Sequence, residues 1–203
     1  MKDSIKINSS FDDFIKVFAE ENSKHNLVSA NDEKLLFEKH IYDSLSIKLF
    51  IDKYNIKNAK ILDIGCGGGF PCIPISMEYP KFEITCVDSI RKKITSIETM
   101  KEKLALNNLN PVCGRIEALE LGQFDIAVSR AVADLAKISE YALPKLKKGG
   151  YFIAYKSKKA DEEIKNSKNV LKKYKSEIVD TIDYTLPLED IYERKLICIK
   201  KED

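Results

Sequence analysis

Several features are scarce in this sequence, and each shortage excludes a class of protein. Only two histidines occur, His25 and His40, which are too few to build a histidine metal site. The five cysteines form no Cys-x-x-Cys pair, and their odd number argues against a disulfide framework. No apolar run approaches the roughly 18 residues that span a bilayer, and the first six residues resemble no secretory signal. We therefore expect a cytoplasmic protein without a metal site.

Hydrophobic periodicity divides the 203 residues into a helical part and an alternating part. Up to about residue 54, apolar side chains recur at intervals of three and four, as in Phe11, Phe14, Ile15 and Phe18. After residue 58, short β-type runs alternate with helical stretches, the pattern of a parallel sheet with crossover helices. The last two strand candidates, 177–184 and 194–200, are close enough to pair antiparallel. We expect an α/β fold in which a helical cap, residues 1–54, packs on a body of residues 55–203.

A cluster of glycines follows the first predicted strand, residues 59–64, and precedes a helix. Gly65, Gly67 and Gly69 are spaced at two and two, unlike the Gly-x-Gly-x-x-Gly of dinucleotide-binding loops. Glycine allows positive φ and lets a ligand lie against the backbone, and the helix N-terminus behind the loop offers N–H donors. Without further residues, a tight turn explains such a cluster as well as a ligand loop does.

Two carboxylates favour the ligand loop. Asp63 lies at the end of the first strand, where it can accept hydrogen bonds from loop N–H groups and from an amino-acid ammonium. Asp88 ends the next strand, where a carboxylate of such folds accepts hydrogen bonds from ribose hydroxyls. Together with Gly65 and Gly67, these residues predict a nucleoside that carries an amino-acid tail, namely S-adenosylmethionine.

The same residues carry a resemblance to a known family. Residues 61–75, which end in Gly-Phe-Pro-Cys-Ile-Pro and one further isoleucine, resemble the first motif of the ribosomal RNA small-subunit methyltransferase G family, also called glucose-inhibited division protein B. Further motifs of that family match in order over nearly the whole chain. They are His40-Ile41-Tyr42-Asp43-Ser44-Leu45, Asp88-Ser89, Arg91-Lys92-Lys93, Arg115-Ile116-Glu117 and Val128-Ser129-Arg130-Ala131.

This resemblance implies a class I S-adenosylmethionine-dependent methyltransferase with a Rossmann-like sheet and an N-terminal helical cap. It implies methylation of N7 of one guanine in bacterial 16S ribosomal RNA. Whether naked RNA or the small ribosomal subunit is the substrate stays open, and we expect a monomer by default. Carried over by position, the cofactor contacts are Gly65 and Phe70 in the loop, Ile116 and Glu117 beside the adenine, and Arg130 after the fourth strand. Asp88 matches the position expected to hold the ribose.

The residues after the fourth strand agree with this chemistry. The run from Val128 to Ala131 lacks the cysteine that C5 methylation of cytosine needs, the Asn/Asp-Pro-Pro motif typical of exocyclic amine methylation, and a carboxylate cluster for a metal. Guanine N7 carries an unprotonated lone pair, so its methylation needs positioning rather than a general base or a covalent intermediate. We therefore assign Arg130 and Lys156 positioning roles only. The alternatives are a salt bridge from Arg130 to Glu117 or Asp125, and a solvated strand-end position for Lys156.

The net charge of +2 argues against a nucleic-acid partner when taken alone. Residues 145–175, the lysine-rich segment, nevertheless hold 11 lysines against three acidic residues and sum to +8, which leaves −6 for the rest of the chain. Such a run is usually a solvated helix face. Because Lys156, Lys158 and Lys159 belong to it and follow the fifth predicted strand, we expect a basic rim beside the site that neutralises RNA phosphates.

Other interpretations stay open at this level. A methyltransferase that acts on a small molecule or on another RNA fits the same loop, whereas a Rossmann-type oxidoreductase would need a nicotinamide cofactor. A non-catalytic RNA-binding protein is a further alternative, against which the intact loop and Asp88 argue. His40 and Asp43, three residues apart, either orient one another near the catalytic face or belong to an ordinary packed helix.

Overall fold

A computed structural model of the chain describes residues 5–157 and 160–202. Eight α-helices occur in these ranges, together with a π-helical turn at Phe37–Ile41 and 3₁₀ turns at Ile116–Ala118 and Leu143–Lys145. The helices are α1 (Asp12–His25), α2 (Ala30–Glu33), α3 (Tyr42–Leu45), α4 (Ile47–Lys53), α5 (Cys72–Glu78), α6 (Arg91–Lys103), α7 (Leu135–Ala142) and α8 (Ala160–Lys173). Within the described ranges, no helix combines the length and apolarity needed to cross a membrane.

Seven strands form one sheet in the order β3-β2-β1-β4-β5-β7-β6. They are β1 (Lys60–Ile64), β2 (Glu83–Asp88), β3 (Leu109–Cys113), β4 (Phe124–Arg130), β5 (Leu146–Ser157), β6 (Ser176–Thr185) and β7 (Glu193–Lys201). The first five strands are parallel, whereas β7 pairs antiparallel with both β5 and β6. The carboxyl ends of the parallel strands therefore lie along one edge of the sheet, where ligands of open α/β sheets bind.

The predicted α/β class and the final antiparallel pair are confirmed. Parallel strands are covered by helices on both faces, which explains why the central strands β1, β2 and β4 are mostly buried. Ser29 caps α2 by accepting a hydrogen bond from Asp32 N at 3.1 Å, whereas α1 begins after Phe11 without a side-chain cap. The π-helical turn had no signal in the periodicity.

The helical part packs directly on one face of the sheet layer. In α1, the rings of Phe14 and Phe18 lie 5.8 and 5.2 Å from the ring of Phe70, which follows the glycine loop. One apolar cluster contains residues of both parts, including Phe50 of α4 and Ile61 of β1. This packing places the π-helical turn over the carboxyl edge of the sheet. The division at residue 54 stays a prediction.

Candidate functional site

The loop after β1 has the backbone geometry that its glycines predict. Gly65 and Gly67 have φ values of +74° and +55°, a region that residues with a Cβ rarely adopt. The N–H groups of Gly65 and Cys66 donate to Val87 O at 2.8 and 3.1 Å, which anchors the loop to β2. A Cβ on Gly65 would lie 2.4 Å from Cγ2 of Val132. A residue with a side chain does not fit at position 65, because the loop that contains Val132 approaches the backbone of Gly65 closely.

Asp88 supports this loop and also faces the space above it. Its Oδ2 accepts a hydrogen bond from Gly67 N at 3.0 Å, and its Oδ1 accepts one from Ile90 N at 2.9 Å. Lys93 Nζ lies 3.8 Å from Oδ2. A carboxylate offers about four lone-pair sites, so both oxygens retain capacity for ligand hydroxyls.

A cavity of about 370 Å³, called the smaller cavity below, opens at this point. It is lined by four of the residues predicted to bind the cofactor, and these are Gly65, Asp88, Ile116 and Glu117. A hydrogen bond from its own backbone N–H, with help from the Tyr141 hydroxyl, holds the pKa of Glu117 below its usual range, so the carboxylate is ionised. Glycine surface, an apolar wall and two carboxylates fit the nucleoside half of S-adenosylmethionine.

The other predicted cofactor residues lie beneath or beside the loop. Within the described chain, Asp63, Gly67 and Phe70 line neither this cavity nor the larger one described next. Asp63 is fully buried, its Oδ2 accepts from Cys72 N at 3.1 Å, and burial raises the pKa of its carboxyl well above the ordinary value. Space is open above Gly67. Direct cofactor contacts of these three residues stay predictions.

A larger cavity of about 690 Å³ lies next to the smaller one. Ala131 and Val132, which follow β4, line both cavities and form their shared wall. Arg130 and Lys156, the two predicted positioning residues, line the larger cavity together with His40 and Asp43 of the helical part. Ala131 has a φ of +56°, which is strained for a residue with a Cβ and turns the chain sharply after Arg130.

Arg130 connects the sheet to the helical part through several donors. Its NH1 donates to Asp43 Oδ2 at 3.0 Å and to Lys39 O at 3.2 Å, and its NH2 lies 2.8 Å from His40 Nδ1. The guanidinium also stands 5.3 Å from the centroid of the Phe70 ring. From the sequence, a salt bridge from Arg130 to Glu117 or Asp125 is the alternative to a positioning role. Arg130 does form a salt bridge, but its partner is Asp43. Asp43 also accepts from the Tyr184 hydroxyl at 2.6 Å.

His40 is held in its neutral form. Burial, followed by the nearby charge of Arg130, lowers its pKa from 6.5 to about 4. Because an arginine can only donate, His40 Nδ1 accepts and the ring proton resides on Nε2. Nε2 is buried and has no hydrogen-bond partner among the residues that the structure describes. The larger cavity thus contains a neutral imidazole with an unused N–H.

Lys156 is neutralised by an acidic neighbour. Its Nζ lies 2.6 Å from Glu163 Oε2 and donates to Ala133 O at 2.6 Å. Glu163 Oε2 also accepts from Leu135 N at 2.7 Å. These contacts tie the loop after β4 to the first turn of α8, so Lys156 is neither solvated nor a free cation. They agree with a positioning role, which itself stays a prediction.

Most of the described lysine-rich segment points away from the two cavities. The first turn of α8 is acidic and supplies Glu163 to the larger cavity, and the helix then runs back along the sheet. Lys175, just past its end, lies beside the amino end of β5: Lys175 O accepts from Glu202 N at 2.8 Å, and the neighbouring Lys201 Nζ donates to Leu146 O. The lysines of α8 therefore do not border the cavities, and the basic rim predicted at Lys156, Lys158 and Lys159 stays a prediction. Lys158 and Lys159 lie outside the described residues.

Several residues of the larger cavity had no signal in the sequence. Tyr184 and Glu163 acquire their roles through contacts with segments that are distant in sequence, such as Asp43, which lies 141 positions before Tyr184. For His40 and Asp43, the available signals were their spacing and their place in a motif of the resembled family. They indicated a pair but not that both would contact Arg130.

Solved structures share this fold at low sequence identity. A methyltransferase from Pyrococcus furiosus matches with a TM-score of 0.62 and 17% identity over 79% of this chain and 83% of that one. M. jannaschii TYW2 in complex with AdoMet matches with a TM-score of 0.63 and 14% identity over 79% and 77% of the two chains. The fold, the glycine loop and the cavity beside Asp88 define a class I methyltransferase, whose cofactor is S-adenosylmethionine.

Sequence comparison assigns the chain to one family within this class of methyltransferases. The family model of rRNA small subunit methyltransferase G (GidB) matches residues 7–185. A ribosomal RNA small subunit methyltransferase G from a Thermoanaerobacter species is 40% identical over 199 residues, which are 95% of this chain and 81% of that protein. One from Staphylococcus saprophyticus is 38% identical over 202 residues, or 98% and 83% of the two chains. The chain belongs to the rRNA small subunit methyltransferase G family.

Proposed function

We propose that the protein transfers a methyl group from S-adenosylmethionine to N7 of a guanine in small-subunit ribosomal RNA. The observation that carries this proposal is the pair of neighbouring cavities that share the Ala131–Val132 wall. The smaller cavity takes the nucleoside of the cofactor, and the larger one takes the acceptor base. The names of the relatives support ribosomal RNA as the substrate class.

The side chains of the larger cavity suit an acceptor that brings its own lone pair. His40 is neutral, with Nδ1 engaged by Arg130 and the proton on Nε2, so it does not act as a general base at neutral pH. Asp43 is buried and is engaged by Arg130 and by the Tyr184 hydroxyl. The bound cofactor supplies an electrophilic methyl group. What these residues contribute is a wall, cross-linked by Arg130, that holds the base in line, which is sufficient for attack by guanine N7.

Each predicted cofactor residue has a proposed task. Asp88 accepts from the ribose hydroxyls, Ile116 packs on the adenine, Glu117 accepts from polar edges of the nucleoside, and Gly65 lets the cofactor lie against the backbone. Gly67 and Phe70 keep the loop in its ligand-binding shape and contact the amino-acid end, and Asp63 supports the loop from beneath by accepting from Cys72 N. Arg130 and Lys156 position the loop between the cavities.

The test is methyl transfer from labelled S-adenosylmethionine to purified small ribosomal subunits and, separately, to naked small-subunit RNA that lacks the modification. Incorporation at one guanine, mapped to N7 by chain cleavage at the methylated base, supports the proposal. Incorporation at a carbon or an exocyclic nitrogen contradicts it, as does transfer only to small metabolites. Gel filtration of the active protein tests the monomer, and the comparison of subunits with naked RNA identifies the substrate form.

A further inference from the structure

Three cysteines meet directly beneath the glycine loop. The sulfur atoms of Cys66, Cys72 and Cys86 all lie within 4.8 Å of one another, and all three residues are buried. They come from different elements, since Cys66 lies in the loop, Cys72 begins α5 and Cys86 lies within β2. Their positions in the chain, 6 and 14 residues apart, gave no hint of this convergence.

A carboxylate lies against the same cluster. Asp63 of β1 is the register partner of Cys86 in β2, and register partners of neighbouring strands present their side chains on the same face of the sheet. Its Oδ2 accepts from the backbone N of Cys72. Its Oδ1 is buried and has no hydrogen-bond partner within residues 5–157 and 160–202. Buried carboxylate oxygens are ordinarily hydrogen-bonded, so an unused one beside three thiols requires an explanation.

We propose that Cys66, Cys72 and Cys86, with Asp63 as the fourth ligand, form a closed binding site for one thiophilic divalent cation of the Zn²⁺ class. Three sulfurs and one carboxylate oxygen are a donor set that Zn²⁺ binds tetrahedrally, with zinc–sulfur bonds of about 2.3 Å. Sulfurs in such a tetrahedron lie about 3.8 Å apart, so the three sulfurs need to approach one another by no more than about 1 Å. Asp63 Oδ1 does not belong to this group of mutually close atoms, so it must turn towards the sulfurs to complete the site.

The balance of protons and charge is simple. Each thiol, and the buried Asp63 carboxyl when it is protonated, gives up one proton to solvent when it binds the cation, so affinity rises with pH. No electrons are transferred. A disulfide accounts for less of the geometry, because it would join two of the sulfurs, leave the third thiol and Asp63 Oδ1 unused, and need an oxidant. The cation uses all four groups and links the glycine loop to β2 and α5.

The test uses the full-length, reduced, metal-free protein titrated with Co²⁺ and with Cd²⁺. We expect one cation per chain, seen as sulfur-to-metal charge-transfer absorption that saturates and is abolished by competing Zn²⁺. With Co²⁺, visible bands of tetrahedral intensity should appear. The midpoint of thermal unfolding should rise with cation concentration, because the cation binds only the folded cluster.

Matched cysteine variants locate the site. Cys66→Ser and Cys72→Ala should each remove the charge-transfer absorption, whereas Cys113→Ser and Cys198→Ala, which lie outside the cluster, should retain it. Asp63→Asn should keep the sulfur absorption but bind the cation more weakly. Circular dichroism establishes that each variant is folded. Absence of a saturable signal in the unaltered protein, or its persistence in both Cys66→Ser and Cys72→Ala, would overturn the proposal, and unchanged affinity in Asp63→Asn would overturn the four-ligand set.

Discussion

The guanidinium of Arg130, at the end of β4, lies 2.8 Å from Nδ1 of His40 in the π-helical turn. The two residues are 90 positions apart in the chain, and their contact joins the helical part to the sheet at the mouth of the larger cavity. Because Arg130 always donates, this geometry holds only while His40 is neutral. Protonation of His40 would place two cations against each other.

The first prediction concerns stability at acid pH. The pKa of His40 is about 4 in the folded protein and 6.5 when exposed, so between these values the unfolded chain binds the extra proton. Above pH 6.5 His40 is neutral in both states and does not lower the free energy of unfolding. As pH falls from 6.5 towards 4, the free energy of unfolding should decrease by about 2–3 kcal/mol. His40→Gln should flatten this part of the pH dependence, measured by urea unfolding at several pH values. His25→Gln is the control, and equal slopes in both variants would contradict the prediction.

The second prediction separates positioning from cofactor binding at Arg130. A lysine retains the positive charge but cannot reach Lys39 O, Asp43 and His40 at once, because its donors radiate from a single nitrogen. Arg130→Lys should slow methyl transfer at saturating cofactor at least about tenfold, the equivalent of one charge-assisted hydrogen bond. Calorimetric cofactor affinity should change much less. A drop in affinity as large as the drop in rate would favour direct contact of Arg130 with the cofactor.

The third prediction tests Asp88. Removal of the carboxylate in Asp88→Ala should weaken cofactor binding by roughly 1–3 kcal/mol, because the ribose hydroxyls and the N–H of Gly67 lose their acceptor. Glu83→Ala removes a carboxylate from the other end of β2, where Glu83 pairs with Lys60 at 3.2 Å. That variant should bind the cofactor as the unaltered protein does. Equal losses in both variants would mean that the effect comes from net charge.

The fourth prediction concerns the bare surface of Gly65. Gly65→Val should abolish cofactor binding, and Gly65→Ala should reduce it, because a Cβ collides with Val132 and strains a positive φ. Adding Val132→Ala to Gly65→Ala removes the collision, so it should restore part of the stability without restoring affinity. Gly122→Ala carries similar strain at φ +76° in open space away from both cavities and serves as the control. Full recovery of affinity in the double variant would contradict close cofactor approach at Gly65.

The fifth prediction follows from the direction of α8. Lys168 and Lys172 are exposed near the end of the helix farther from the cavities, whereas Arg91 and Lys92 are exposed at the start of α6, on the edge that carries the site. Reversing the charges in Lys168→Glu/Lys172→Glu should leave RNA affinity nearly unchanged. Arg91→Glu/Lys92→Glu should weaken binding and reduce its salt dependence by roughly the number of lost phosphate contacts. A larger loss of RNA affinity in Lys168→Glu/Lys172→Glu than in Arg91→Glu/Lys92→Glu would contradict the prediction and would indicate that α8 contacts the RNA.

Local features were predictable from the sequence because they depend on neighbouring residues. The apolar run of β1, the glycines after it and Asp88 at the end of β2 each have a spacing that fixes their place in a parallel sheet. The partners of Arg130 and Lys156 were not predictable, since they come from segments whose approach depends on the whole fold. The place of the lysines in α8 was not predictable for the same reason: composition revealed their charge, but only the path of α8 revealed where they lie. The basic rim at Lys156, Lys158 and Lys159 stays a prediction.

The wall formed by Ala131 and Val132 has a thermodynamic consequence. Two ligands that rest against one short loop cannot be treated as independent, because a shift of the loop on binding the first changes the surface offered to the second. The factor by which bound cofactor changes the affinity for RNA must equal the factor by which RNA changes the affinity for cofactor. Val132 is 43% exposed at this wall, so its substitution should change the size of the coupling between cofactor binding and RNA binding.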